Sequence, residues 1–387
     1  MNILHISPYV PSVHAAHAGG VCMGKEVETL RKKHNVFVLS FVNDEKEEQL
    51  IDKEYKDDTK CYFVKSNTYT KATNALLNLN MPIFFAIRNS SEFKKKLIKI
   101  IEEERIDVIH AEYTAMGQFV WVKDKFPNIK FNLVEHDVTK QSYDRYVKDS
   151  TGFKRIYNKW QANLVEKYEG NCLKKCDEVF TLNTKDLDLL KKYYSIKDAK
   201  VITPYYGVDF SNVNKNIKKV PKTICFVGQM ARTENHDAAM RLINIVSKLN
   251  RKDIKINIIG AYPSQELQNL ESENIHVTGF VDSIEDEIMK NDIAVFPLML
   301  GAGIKFKILL AAGLGLPVIT TSVGAEGIDA EGKYLLLGQS DEELSNLILK
   351  LIDDEELKNE VASNLQKYVL DNFNWEKSVA LFDEIYK

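Results

Sequence analysis

The residues best suited to binding an anion lie in the stretch 295–324. Gly301 and Gly303 bracket a predicted tight turn between an apolar strand and a helix, and Lys305 and Lys307 fall at the start of that helix. Glycines let a ligand approach the backbone, and the free N–H groups of a helix's first turn carry partial positive charge. Because lysines at such a terminus oppose the helix dipole, an anion bound between them would remove the conflict. The stretch predicts a diphosphate site, and the alternative is a connection whose lysines point into water.

A second group of candidate residues lies in the first half of the chain. Gly19 and Gly20 follow the first predicted strand, and His136 follows the predicted strand 131–134. Both places are carboxyl ends of strands, where open parallel sheets bind ligands. Glu135 and Asp137 flank His136 and would favour its protonated form, which can donate to a hydroxyl or to developing negative charge. The alternative is a histidine that is hydrogen-bonded within its own loop.

Residues suited to binding a metal are not grouped in the sequence. His14 and His17 share a loop, but no third ligand accompanies them. We therefore predict neither a metal site nor a disulfide framework, since the five cysteines are scattered without any CxxC pair: Cys22, Cys61, Cys172, Cys176 and Cys225.

Composition limits the class of protein and its partners. The 387 residues are 44% hydrophobic and 28% charged with a net charge of −3, which favours two globular domains and gives no reason to expect nucleic acid binding. We expect a cytoplasmic chain, because no apolar run approaches the roughly 18 residues of a membrane span. The apolar run 81–87, followed by Lys94, Lys95 and Lys96, could rest on the inner face of a membrane. The alternative is that this run is packed core.

The order of predicted elements indicates an α/β protein with two βα-repeating halves. Strands and helices alternate through residues 1–205, and the pattern restarts at the predicted strand 223–227 after a hinge that contains Gly207 and Asp209. We therefore predict domains at 1–205 and 206–372, followed by a last helical segment at 373–387. Open sheets built this way bind ligands at the carboxyl ends of their strands.

One long helix is predicted from residue 139 to residue 176. Its apolar residues recur at helical spacing, which predicts a face that packs into the core. The residues of this stripe are Phe153, Ile156, Trp160, Leu164, Tyr168 and Cys172.

At this point the sequence resembles the retaining, nucleotide-sugar-dependent glycosyltransferases of family 4, which have the GT-B fold. The resemblance covers essentially the whole chain and is strongest over residues 224–327. The segment DIAVFPLMLGAGIKFKILLAAGLGLPVITT resembles the family's signature strand, phosphate loop and helix, and NIHVTGFV resembles its base-contacting strand. GVD at 207–209 resembles the hinge, and the last helix resembles the one that returns to the first domain.

The resemblance implies two Rossmann-like, doubly wound domains that face each other across a cleft holding a nucleoside diphosphate sugar. The base would lie near Phe280 and Val281, the diphosphate on the turn 301–305, and the sugar near Gly20 and His136. Backbone amides and lysine would replace the divalent cation used by other glycosyltransferases, so we expect no metal and no cofactor beyond the donor substrate. The expected catalytic residues are His136 and Lys305, and the expected binding residues are Gly19, Gly20, Gly228, Arg232, Phe280, Val281, Gly301, Ala302, Gly303, Ile304, Lys305 and Leu310.

The sequence also departs from the family's pattern. Two glutamates eight positions apart usually contact the sugar and the ribose, and Ala302 and Leu310 stand in their places. The usual basic pair after the first strand of the second domain aligns with Gln229 and Glu234, so Arg232 or Lys305 would have to supply the phosphate-binding charge.

Three functions remain open at this stage. We expect a retaining transferase that moves a hexose-type sugar from a UDP-linked donor to a glycan or a lipid-linked acceptor. The first alternative is a degenerate, non-catalytic glycosyltransferase that serves as a partner or glycan-binding subunit. The second is a nucleotide-sugar epimerase of the same fold, which would need no acceptor.

Overall fold

The computed structural model describes residues 1–15, 17–205, 217–301 and 304–387. The chain divides into two compact units, one made of Met1–Gly207 with Trp375–Lys387 and the other of Val208–Asn374. The last helix therefore groups with the first unit. The predicted hinge residues Gly207 and Asp209 lie outside the described residues, as do Ala302 and Gly303. Within the described ranges, no helix is both long and apolar enough to cross a membrane.

The first unit is built on a parallel sheet whose strands run in the order β3-β2-β1-β4-β5-β6-β7. Its strands are buried apolar runs, as expected for a sheet covered by helices on both faces. The strands are β1 Asn2–Ser7, β2 Asn35–Val42, β3 Cys61–Lys65, β4 Val108–Glu112, β5 Lys130–Glu135, β6 Glu178–Thr181 and β7 Lys200–Val201.

Helices connect these strands, and the C-terminal helix of the chain packs on the same unit. The connections are α1 Ala18–Arg31, α2 Glu45–Leu50 with a π-helical turn Ile51–Tyr55, α3 Thr68–Leu77, α4 Ile83–Ala86, α5 Ser91–Glu104, a 3-10 segment Thr114–Trp121, α6 Val122–Lys125, α7 Thr139–Lys148, α8 Gly152–Lys175 and α9 Thr184–Tyr194. The C-terminal helix, α17 Trp375–Ile385, joins the core through Phe382 and the following Tyr386.

The second unit repeats this plan with the strand order β10-β9-β8-β11-β12-β13. Its strands are β8 Thr223–Val227, β9 Lys255–Ile259, β10 Ile275–Gly279, β11 Ile293–Phe296, β12 Val318–Thr320 and β13 Leu336–Leu337. Its helices are α10 Thr233–Ser247, α11 Gln265–Gln268, α12 Ile284–Met289, α13 Phe306–Gly313, α14 Ser322–Ala325, α15 Asp341–Asp353 and α16 Glu355–Asn372. The prediction of two Rossmann-like α/β sheets is thus confirmed.

The predicted helix 139–176 is wrong in two respects. It is divided into α7 and α8, since Asp149 is the C-cap residue of α7 and Thr151 occupies the N-cap position of α8. The first half of its apolar stripe is also not core, since Phe153 is 91% exposed and Ile156 66% exposed, whereas Cys172 near the other end is buried. Periodicity groups residues on one face of a helix but does not show what covers that face.

The apolar run 81–87 is partly core. Phe85 and Ala86 of α4 are buried, whereas Ile83 is exposed. The run is therefore divided between core and surface, with Phe85 and Ala86 packed inside the protein and Ile83 left at the surface.

Candidate functional site

In the second unit, the strand order reverses between β8 and β11. Successive strands after β8 are added on one side of it, and β11 begins the addition on the other side. The loops that leave two such strands diverge and leave a crevice at the carboxyl edge of the sheet, where ligands bind in this class of fold. Gly228 and Arg232 lie in the loop after β8, and the segment ending at Lys305 follows β11.

Lys305 occupies the N-cap position of α13 and is only 8% exposed. Its aliphatic stem lies against Gly301, where a Cβ atom would approach Lys305 Cε to 3.1 Å. Gly301 has a φ of +129°, a conformation that side chains of L-residues rarely adopt. Glycine at 301 therefore provides both the turn and the room for the lysine. Ile304, before this lysine, is half-buried.

Lys307 lies in the first turn of α13, which contains no acidic residue. Its ammonium group donates to Asn235 Oδ1 and stands 5.0 Å from the centroid of the Phe226 ring. Burial and the neighbouring charges of Arg232 and Lys305 lower the pKa of Lys307 to about 8, although Glu234 acts in the opposite direction. The site therefore brings three cationic side chains close enough to act on one another, which suits the binding of a phosphate group.

Asn235 links the two loops of this site. Its amide Nδ2 donates to Gln229 O at 2.9 Å while its Oδ1 accepts from Lys307. The side chain fits because residue 228 is glycine, since a Cβ there would lie 2.8 Å from the Asn235 amide. Reasoning from the sequence did not assign this role to Asn235.

The other predicted donor-site residues lie at the same edge or beside it. Arg232, at the N-cap of α10, is exposed and pairs with Glu234 Oε1 at 2.5 Å. Leu310 lies in the second turn of α13 and is half-buried. Phe280 and Val281 follow β10, two strands from β8, and Phe280 is 80% exposed.

In the first unit, Gly19 and Gly20 belong to a helix and not to the predicted loop. Helix α1 begins at Ala18, and His17 Nδ1 caps it by accepting from the backbone N–H of Gly20 at 3.0 Å. A Cβ at Gly19 would come within 1.9 Å of the Tyr113 hydroxyl group. Gly19 is therefore required by the close approach of Tyr113 to the first turn of α1.

His136 lies just after β5 and is held on two sides. Its Nε2 contacts Glu112 Oε2 at 2.7 Å, and its ring stacks on Tyr113 with centroids 3.7 Å apart and planes 9° apart. Tyr113 has a φ of +68°, an unusual backbone conformation of the kind found at functional sites. The imidazole ring is thus fixed in orientation before any ligand arrives.

One of the two acidic residues predicted to act on His136, Glu135, is not its partner. Glu135 turns away from it and bonds Thr114 Oγ1, and burial together with the charge of Glu169 raises the pKa of Glu135 well above its ordinary value. Neighbours in a strand point to opposite faces of a sheet, so a residue at i−1 is a poor candidate partner. The carboxylate comes instead from Glu112 on the adjacent strand β4.

Glu112 belongs to a buried cluster of ionisable groups under α1 and α17. His110 Nε2 lies 2.9 Å from Glu112 Oε1 and 3.0 Å from Glu26 Oε2, and its Nδ1 bonds the hydroxyl of Tyr386. His5, in register with His110, approaches Glu112 at 3.3 Å.

The two glutamates of this cluster, Glu26 and Glu112, differ in pKa and therefore in charge. Burial would raise the pKa of Glu112, but hydrogen bonds from His110, His136 and His5 outweigh it and hold that pKa well below its ordinary value. Burial and the charge of Glu112 raise the pKa of Glu26 well above normal. Burial opposes a charge on His110, but Tyr386 and the hydrogen bonds to the two glutamates raise its pKa well above normal. Glu112 is therefore the carboxylate that carries the negative charge.

Ligand atoms of four side chains in this cluster, those of His5, Glu26, His110 and Glu112, all lie within 4.8 Å of one another. These residues were missed by sequence reasoning. The available signal was the pair His110 and Glu112 in an otherwise apolar strand, because residues two apart in a strand share a face.

Both halves of the chain match models of known glycosyltransferases. A model described as glycosyl transferases group 1 matches residues 221–354, and one described as glycosyltransferase family 4 matches residues 27–212. The chain has the GT-B fold and resembles glycosyltransferases in both halves. Each of the two matches falls largely within one of the two units.

The chain is distantly related to curated glycosyltransferases. It is 23% identical to the capsular polysaccharide biosynthesis glycosyltransferase CapH of Staphylococcus aureus, over 57% of the chain and 61% of the relative's length. It is also 23% identical to the O-antigen biosynthesis glycosyltransferase WbnH of Escherichia coli, over 72% of the chain and 77% of the relative. The solved structure of Anabaena Alr3699/HepE in complex with UDP matches all of the chain and 99% of that protein, with a TM-score of 0.67 at 14% identity. That likeness shows the fold.

Proposed function

We propose that the chain transfers a hexose-type sugar from a UDP-linked donor to a glycan or lipid-linked acceptor, with retention of anomeric configuration. The names of CapH and WbnH support a role in polysaccharide synthesis, and the UDP bound by Alr3699/HepE supports the donor class. Retention is taken from the resemblance to family 4.

The observation that carries this proposal is the group of cations at the β8 and β11 loops. Arg232 and Lys305 depress the pKa of Lys307, so all three act on a common region of space. When the bond between the anomeric carbon and the diphosphate breaks, negative charge grows on the leaving phosphate oxygen. Preorganised cations and the N-terminal N–H groups of α13 would stabilise that charge more strongly than they stabilise the intact donor. Such a site needs no metal ion to supply positive charge.

His136 is the second group to which this proposal gives a role. Because ionised Glu112 accepts from Nε2, the neutral ring presents Nδ1 as an acceptor for a sugar hydroxyl, and the protonated ring presents it as a donor. The ring would orient a sugar and not act as a nucleophile.

A second candidate function rests on Leu310. Its side chain has no polar atom, so it cannot bind the ribose hydroxyls from the second turn of α13. Losing a hydrogen bond to a charged acceptor costs about 1 to 3 kcal/mol of donor affinity unless another group replaces it. A chain that no longer turns over its donor would act as a non-catalytic partner.

One experiment separates these functions. Thermal shift with UDP, GDP, ADP and their sugars would identify a ligand of the folded state, and product analysis would then follow the donor with and without candidate acceptors. We expect a shift with UDP-sugars that is reduced in Lys305→Met and Arg232→Met but not in the control Lys350→Met, which changes an exposed lysine on α15.

Each outcome has a definite meaning. Binding without turnover would support the non-catalytic partner, and isomerisation of the donor without an acceptor would support an epimerase. If no nucleotide shifts the melting temperature, the proposed donor site is wrong.

A further inference from the structure

Helix α8 exposes an apolar face in its first two turns. Phe153, Ile156, Tyr157 and Trp160 recur at spacings of three and four, so they lie on one side of the helix, and all four are exposed. The opposite side of α8 is buried through residues such as Ala162 and Val165. An exposed stripe of large side chains on an otherwise packed helix marks an interaction surface.

Helix α3 and the segment after it expose a second apolar patch. Leu76, Leu77, Leu79 and Ile83 are all exposed, Leu77 to 76%. The two patches meet where the backbone N–H of Ile83 donates to Gln161 Oε1 of α8 at 2.9 Å. We call the eight residues of the two patches the α3–α8 surface.

The charged residues of the two segments that form the α3–α8 surface are all basic. No acidic residue occurs between positions 66 and 91 or between positions 150 and 165. Within those segments, Lys154, Arg155 and Lys159 are exposed among the apolar residues of α8, and Lys71 lies on α3. The chain as a whole has a net charge of −3, so this basic region is local.

We propose that the α3–α8 surface docks on the surface of a lipid bilayer that contains anionic lipids. Large apolar and aromatic side chains would enter the boundary between headgroups and acyl chains, and Lys and Arg would reach the lipid phosphates from the same helix. Aromatic rings with a polar edge, such as those of Tyr157 and Trp160, suit this boundary. A protein partner would be expected to meet a surface with both signs of charge, and these segments offer only cations.

The proposed membrane-docking surface differs from the membrane-contacting segment predicted from the sequence. The run 81–87 contributes only Ile83, because Phe85 is buried. Lys96 is used within the protein, where its Nζ donates to Phe63 O at 2.7 Å and pairs with Glu92. Lys94 lines a cavity of about 620 Å³ with Lys174 and Lys175, beside Met81.

The test is flotation of the full chain with vesicles of phosphatidylcholine alone or with about 30% phosphatidylglycerol. We expect binding to the anionic vesicles that weakens as salt screens the charges. Lys154→Glu with Arg155→Glu should weaken binding roughly 25-fold, since each basic residue near an anionic surface contributes about fivefold. Phe153→Ser with Ile156→Ser should weaken it at least tenfold.

A matched control is available on α16, where Leu370 and Lys367 are both exposed. Leu370→Ser with Lys367→Glu removes one apolar group and one cation elsewhere and should leave vesicle binding unchanged. All substituted positions are exposed, so unchanged melting temperatures would show that the variants are folded. No donor or acceptor is present in the assay, and its result is therefore independent of the proposed transfer reaction.

Two results would overturn the proposal. The first is that the native chain does not bind anionic vesicles, or that it binds them no more strongly than the α8 variants do. The other is self-association of the native chain that the Phe153→Ser and Ile156→Ser variant abolishes, because the face would then serve a second copy of the chain.

Discussion

Lys307 provides the sharpest test of the proposed diphosphate site, because its ammonium group titrates within an accessible range. The pKa of Lys307 is lowered from 10.5 to about 8 in the free chain. Burial is the largest cause of this shift, followed by the charge of Arg232. A bound diphosphate would place negative charge beside the ammonium group and so raise this pKa toward its ordinary value. Donor binding should therefore take up a proton above pH 8.

The magnitude follows from these two values. At pH 9, Lys307 of the free chain is about nine-tenths neutral, whereas in a complex with a pKa near 10.5 it is almost fully charged. Affinity for the sugar nucleotide should fall about tenfold between pH 7 and pH 9, which corresponds to about 1.4 kcal/mol.

The assay is isothermal titration of a UDP-sugar in buffers of different ionisation enthalpy, which reports both affinity and proton uptake. Lys307→Met carries no charge at this position at any pH, so it should bind roughly 300-fold more weakly than the native chain at pH 7, which is the ratio set by a rise in pKa from about 8 to 10.5, and its affinity should not depend on pH. Lys333→Met is the matched control, since Lys333 Nζ also stands over an aromatic ring, 5.3 Å from the centroid of Tyr334, but lies outside the proposed site. Equal native affinity at pH 7 and pH 9, or a tenfold dependence that persists in Lys307→Met, would refute the reasoning.

The same lysine predicts how stability changes with pH. The folded pKa lies below the unfolded one, so the unfolded chain binds more protons between pH 8 and pH 10.5 and the free energy of unfolding should rise with pH over that window. The contribution of Lys307 is at most about 3 kcal/mol. Urea unfolding of the native chain and of Lys307→Met at pH 8 and pH 10 would measure this contribution. The reasoning would be contradicted if the free energy of unfolding rose no more from pH 8 to pH 10 in the native chain than in the variant.

Three further substitutions test the packing of the candidate sites. Glu112→Gln removes the buried charge that holds His136 and should lower the free energy of unfolding by about 3 kcal/mol and change the histidine ¹⁵N shifts, both measurable by urea unfolding and NMR. Gly19→Ala should displace the Tyr113 ring and reduce turnover by tenfold or more with little loss of melting temperature, whereas an unchanged rate would show that this contact is unimportant. Gly260→Ala should prevent stable folding of the second unit, because its φ is +139° and a Cβ would lie 1.9 Å from the carbonyl oxygen of the adjacent loop; a soluble variant with native melting behaviour would contradict this.

The fold was predictable because its strands are continuous apolar runs that alternate with helical patterns. That alternation alone indicates parallel sheets with helices on both faces. The turn at Gly301 was predictable because a glycine between a strand and a helix usually marks a turn. Its positive φ, which side chains of L-residues rarely adopt, agrees with that prediction. The pattern does not show whether a given helix face is covered by the rest of the protein or exposed to solvent. Phe153 and Ile156 were therefore assigned to the core, although their side chains are exposed.

The partners of the candidate catalytic residues were harder to predict because they depend on strand register. His136 and Glu112 are 24 positions apart and meet only because β4 and β5 are neighbours with Glu112 opposite Val134. Lys307 was visible in the sequence, but its contact with Asn235 joins residues 72 positions apart. Local spacing identifies residues suited to chemistry, and the sheet then decides which of them meet.

The buried cluster explains why the C-terminal helix matters to the first unit's candidate site. Desolvating several ionisable groups is costly, and the cost is tolerable only when each finds a partner. Tyr386, which follows α17, bonds His110 Nδ1 and accepts from Asn132 Nδ2 at 3.2 Å, so His110 must direct Nε2 toward Glu26 and Glu112. With one oxygen of Glu112 committed to His110, the other is left to bind His136 Nε2 at 2.7 Å. The end of the chain thus fixes, through two intermediate side chains, which nitrogen of His136 is available to a ligand.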